Sequence, residues 1–97
     1  MSVTIITHLH ASTGQEDVLA GLLAEGRDRM RSADGCESFE LVQDVQGPCS
    51  FAFCQHWAPH QDHDAAFNER IVQTGHINEA LAALNEPLVQ HTYHVVS

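Results

Sequence analysis

Residues 55–64 read QHWAPHQDHD and place three histidines, two aspartates and the only tryptophan within ten positions. Imidazole and carboxylate are donors that divalent metals take, so such a cluster raises the question of a metal site. His60 and His63 stand at i and i+3, with Asp64 at i+4 from His60, and on a helix all three project from one side. The same residues have a plainer reading. Pro59 suits the first position of a helix, and Asp62 and Asp64 in its first turn offset the positive end of the helix dipole. His56 precedes the proline on a strand and has no fixed geometry toward the others. The stretch is expected to be a strand-to-helix junction that holds no metal.

Two further histidines offer acid–base chemistry rather than coordination. His76 follows Thr74-Gly75 and opens a short helical segment, where the dipole favours a neutral imidazole able to accept a proton. The structural alternative is a polar helix start paired with Glu79. His8 shares one parity of the first strand with Thr4, Ile6 and His10, and it lines a pocket if that parity faces the helices. Trp57 is expected at the rim of the core with its N–H on a polar partner, and its flat ring could also stack on a planar ligand. Tyr93 and Arg70 are further candidates, Arg70 fitting a solvated helix charge better.

The elements that must position these groups can be read from patterning. Residues 3–10, 37–44 and 49–57 alternate and are rich in β-branched and aromatic residues, as strands are. Thr13 and Glu16 have capping-box spacing, and Val18, Leu19, Leu22, Leu23 and Met30 follow at helical intervals, predicting a helix over 15–32 that Asp34-Gly35 ends. Gln46-Gly47-Pro48 predicts a hairpin turn. A second helix is expected over 59–70 with Ala66, Phe67 and Ile71 on its buried side, a third over 76–84, and a last strand over 90–96. The order β-α-β-β-α(α)-β predicts an α+β, ferredoxin-like fold with a four-stranded antiparallel sheet carrying helices on one face. Both parities of several strands are apolar, so the second face of the sheet is expected to be covered by self-association.

Composition narrows the partners. Ninety-seven residues make one domain, 1–97, with a single core. The net charge of −9 rests on four arginines and no lysine. Binding phosphates needs clustered cations, so nucleic acid is excluded as a partner and an anionic membrane surface is disfavoured. No run of about 18 apolar residues is present to span a membrane. The N-terminal MSVTIITHLH lacks the basic start and cleavage site of a signal peptide, so a cytoplasmic location is expected. Cys36, Cys49 and Cys54 are odd in number and widely spaced, and free thiols are expected.

Gly14 before the first helix, DGCESFEL over 34–41, Trp57 closing the third strand and His76 opening the third helix carry a family likeness by their order and spacing. From about residue 3 to residue 96 the chain resembles the antibiotic-biosynthesis-monooxygenase family of dimeric α/β-barrel proteins. The resemblance implies a homodimer whose sheets form a barrel, with a pocket in each protomer between sheet and helices. Characterised relatives include oxygenases of quinols and anthrone-like polyketides that use no metal or organic cofactor, a haem-degrading branch and a branch acting on small signalling molecules. The haem-degrading pattern of asparagine, tryptophan and histidine falls here on His8, Phe67 and His76, and only the last agrees. The expectation that follows is a cofactor-free oxygenase of a small aromatic substrate with O2. His76 would be its base, and His8, Trp57, Phe67 and Tyr93 would line the pocket. The alternatives are a non-catalytic dimer that binds an aromatic or haem, and an isomerase of a small oxygenated metabolite.

Overall fold

The computed structural model describes residues 2–96. Strand β1 (Val3–His10) leads to helix α1 (Glu16–Arg31), then β2 (Cys36–Gln43), β3 (Ser50–Trp57) and helix α2 (His60–Phe67). Helix α2 runs into a π-helical turn (Asn68–Val72), followed by α3 (His76–Ala82) and β4 (Val89–His94). The strands pair in the order β2-β3-β1-β4, every pair antiparallel. This is the expected ferredoxin-like arrangement, with the helices on one face.

Helix α1 buries Leu19, Leu23, Gly26 and Met30, a stripe at i, i+4, i+7 and i+11. The expected capping box does not form. Glu16 is itself the first helical residue, so Thr13 lies too far ahead to cap, and Glu16 Oε2 accepts from the Gly14 N–H at 3.0 Å. Arg70, expected to be solvated, instead closes the other end of α1: its Nη1 donates to the Arg29 carbonyl at 2.8 Å and to Ser32 Oγ at 3.0 Å. A cation there suits the negative end of the helix.

Gly35 has φ +88°, and a Cβ at this position would run into the Asp62 side chain. Its carbonyl accepts from the Ala58 N–H at 2.8 Å, which ties the start of β2 to the β3–α2 junction. Pro59 forms the N-cap of α2 rather than its first residue. The helix expected over 59–70 is α-helical only to Phe67; beyond it the Gln73 N–H bonds to the Asn68 carbonyl at 2.9 Å, the i→i+5 pattern of a π turn.

Parity decides what the sheet shows to each side. Ile5, Thr7 and Leu9 of β1, with Phe51, Gln55 and Trp57 of β3, are buried beneath the helices. The opposite parity, Thr4, Ile6, His8 and His10 facing His56, Cys54, Ala52 and Ser50 across the β1–β3 ladder, lies on the open face. No described element covers that face, which also carries Val42, Val89 and Tyr93 at 45%, 50% and 51% exposure. The three cysteines are free thiols and half-buried, as expected.

Two apolar clusters fill the layer between sheet and helices. One gathers Ile5, Met30, Ala33, Phe39, Trp57, Ala66 and Ile71; the other gathers Leu9, Ala11, Leu19, Leu23, Phe51, Ala80 and Ala83. The space between them is not fully closed by side chains.

Candidate functional site

A cavity of about 300 Å³ lies between the sheet and the helices and draws its wall from both apolar clusters. That volume is at the lower end of the range for small-ligand sites. Its exposed lining residues, Leu81 on α3 and Gln90 on β4, mark where it opens. The wall is apolar apart from Thr7, Gln55, His63, His76 and Gln90. Thr7 Oγ1 donates to Gln90 Oε1 at 2.8 Å, which ties β1 to β4 at the cavity. Gln55 accepts the indole N–H of Trp57 on its Oε1 at 2.9 Å. Since the indole can only donate, the Gln55 amide must turn its oxygen to Trp57, leaving its NH2 for other partners.

His76 sits in the wall but is anchored to α1. Its Nε2 lies 2.9 Å from the Leu22 carbonyl oxygen, which can only accept, so Nε2 carries the proton. The other nitrogen, Nδ1, lies 4.0 Å from Glu25 Oε2 at the surface. Glycine at position 26 makes room for this ring: a Cβ there would stand 3.3 Å from His76 Nε2.

His63 is buried on α2 and its ring is held on three sides. His60 and Phe67, three residues before it and four after, stack on it at 6.0 and 5.8 Å between centroids, and Trp57 meets it edge-on at 5.4 Å. Its Nδ1 lies 3.2 Å from Asp64 Oδ1. Burial pushes the His63 imidazole below its ordinary pKa, against the opposing pull of Asp64 and with a smaller contribution from nearby His60. A neutral ring therefore prevails near pH 7.

The fold brings Phe67 and His76 to the cavity and leaves His8, Trp57 and Tyr93 outside it. His8 was expected beside His76; it lies instead on the open face, at a second hollow of about 240 Å³ with His10, Phe51, Glu86 and Val89. Strand parity is the reason, because Thr7 and Leu9 take the inward positions. Trp57 is fully buried behind the wall rather than at its rim, and it braces the wall residues Gln55 and His63. Tyr93 is half-exposed on the open face, with its ring near that of His91.

The opening stretch does form a strand-to-helix junction, and it also brings donor atoms of His60, His63 and Asp64 within 4.8 Å of one another. Asp64 accounts for the convergence, its two oxygens lying 3.5 Å from His60 Nδ1 and 3.2 Å from His63 Nδ1. Thr7, Gln55, Gln90 and His63 were not assigned to the pocket from sequence. A signal for His63 was present: it stands three residues before Ala66 and four before Phe67, on the face of α2 that the apolar pattern marks as buried.

The sequence profile of the family described as antibiotic biosynthesis monooxygenase matches residues 2–78, and the chain belongs to that family. Solved structures agree on the fold. Rv0793 from Mycobacterium tuberculosis superposes with a TM-score of 0.87 at 15% identity, covering 100% of this chain and 97% of its own. A candidate antibiotic biosynthesis monooxygenase from Chloroflexus aurantiacus gives 0.77 at 28% identity, covering 100% and 95%. SnoaB, a cofactor-independent oxygenase from Streptomyces nogalater, gives 0.83 at 12% identity, covering 99% and 94%. No curated protein matches the sequence.

Proposed function

We propose that this protein is a cofactor-independent, monooxygenase-like enzyme that oxidises a small aromatic substrate of quinol or polyketide type with O2. The observation that carries the reading is the cavity: a largely apolar chamber of about 300 Å³ whose few polar groups include two imidazoles, His63 and His76. Membership of the family and the likeness to SnoaB support the reaction class. Proton loss from a bound phenol gives an electron-rich anion that can pass an electron to O2 directly. One oxygen atom then enters the ring and the other leaves as water, the substrate supplying all the electrons. The protein contributes a base, hydrogen-bond donors for the anion and a cavity that excludes water. Haem ligation by His76 does not suit this geometry, since both of its nitrogens are turned toward α1.

In this reading the active form is a cytoplasmic homodimer that buries the open face carrying His8 and Tyr93. The test is O2 uptake by purified protein with a naphthohydroquinol, in the presence of a metal chelator. Uptake well above the uncatalysed rate, with a hydroxylated quinone as product, is the expected result. No enhancement with any member of a quinol panel refutes the proposal.

A further inference from the structure

We propose that His63, through its Nε2, is the group that takes the proton from a phenolic ligand in the cavity, with Asp64 and Gln55 as its two supports. The inference rests on the reading of the cavity as a site for such ligands, and it concerns a residue that the sequence pattern offered only as a metal donor.

Three observations on the structure converge. The first is the tautomer. The Asp64 carboxylate can only accept, so the contact of 3.2 Å places the proton of neutral His63 on Nδ1 and the lone pair on Nε2. The second is where that lone pair goes. His63 is 3% exposed and makes no hydrogen bond through Nε2, yet among the described residues no fully buried side-chain nitrogen or oxygen lacks a partner. Nε2 is therefore not sealed in, and the cavity is the open space that His63 lines. The same reasoning applies to the NH2 group of Gln55, 3% exposed and also in the wall, whose oxygen is taken by Trp57. A proton acceptor and a donor for the resulting anion thus share one chamber. The third is rigidity: stacked between His60 and Phe67 and braced by Trp57, the His63 ring keeps its orientation.

His76 contrasts on the first two counts. Its Nε2–H is given to Leu22, and its Nδ1 faces Glu25 on the outer side of α1. It works as a strut between α1 and α3. In the proposed step the phenol O–H bond breaks, an N–H bond forms at Nε2 of His63, and the electron pair stays on the phenolate oxygen. The imidazolium so formed keeps Asp64 against its Nδ1–H, the arrangement by which a carboxylate orients and stabilises a catalytic histidine. The titratable groups around the ring are Asp64 and His60 on α2 and, elsewhere in the cavity wall, His76 on α3.

The test uses para-nitrophenol, which is inert to oxygenation and changes its absorption on ionising. Bound to the wild-type protein, it is expected to show a phenolate-to-phenol ratio about tenfold or more above that in His63→Phe, the effect of a cationic partner in contact with the anion. The variant His63→Gln, which keeps a polar side chain, guards against a misfolded phenylalanine variant and is expected to show the same loss. Asp64→Asn should fall between wild type and the His63 variants. Equal ratios in wild type and both His63 variants overturn the proposal, as does a loss confined to His76→Phe. If the probe ionises as expected but no quinol draws O2 uptake, the oxygenase reading fails and the base assignment stands. A wild-type protein that does not bind the probe sinks both.

Discussion

Removing the His76 ring tests whether it is a strut between α1 and α3. The side chain of His76 is 5% exposed, donates to the Leu22 carbonyl at 2.9 Å and faces Gly26, which has no side chain to fill a vacated space. His76→Ala loses that hydrogen bond, worth about 1 kcal/mol net, and the packing of a buried ring beside an unfilled cavity, for a total of about 2–3 kcal/mol. In a domain of this size that corresponds to a fall in Tm of about 10–20 °C. Gly26→Ala alone gains about 1 kcal/mol of helix propensity but sets its Cβ 3.3 Å from Nε2, so the gain is expected to be largely offset. In the double variant the ring is gone. The new methyl group then occupies part of its space, and the full propensity gain returns. The two substitutions should therefore couple by about 1 kcal/mol or more in the stabilising direction. Urea unfolding of all four proteins at one protein concentration measures this, with the concentration held fixed because self-association would otherwise shift the midpoints. Additive effects, or a Gly26→Ala variant stabilised by the full propensity gain, would refute the strut.

Light scattering or sedimentation at micromolar concentration is expected to find a homodimer, because the open face exposes Val42, Val89 and Tyr93 with nothing described to cover them; a monomer would mean that this face tolerates water. Elemental analysis of purified, tag-free protein is expected to find no stoichiometric zinc, iron or copper, since the two oxygens of Asp64 are already engaged by the Nδ1 atoms of His60 and His63. One equivalent lost in a His60→Ala/His63→Ala variant would overturn that expectation. The depressed pKa of buried His63 also has a sign in stability. Its contribution is present above the unfolded histidine value of about 6.5 and is lost as pH falls toward the lower folded value, because the unfolded chain then binds more protons. His63→Phe should lose less stability than wild type between about pH 7 and 5, and an unchanged acid limb would show that burial does not tune this ring.

Much of the architecture follows from local pattern. Alternation in β1, β2 and β3, the apolar stripe of α1, Gly35 as a left-handed terminator and His76 at a helix start are properties of neighbouring residues, so the sequence carries them directly. Short-range chemistry also foretold free cysteines and a hairpin before β3. The facing of β1 was legible in part: Val3, Ile5 and Leu9 share one parity against Ile6 on the other, which favours the side that buries Thr7 and exposes His8. What sequence could not supply is which polar groups meet across distance. His63 and Gln55 are eight positions apart and His76 lies 54 positions from Leu22, so their roles depend on how α2 and α3 sit on the sheet and on α1. The capping box was misplaced, since α1 starts at Glu16 with Gln15 at its N-cap and Thr13 two residues before that. An imidazole's chemistry is decided by what each of its nitrogens touches, and those contacts exist only once the helices are docked.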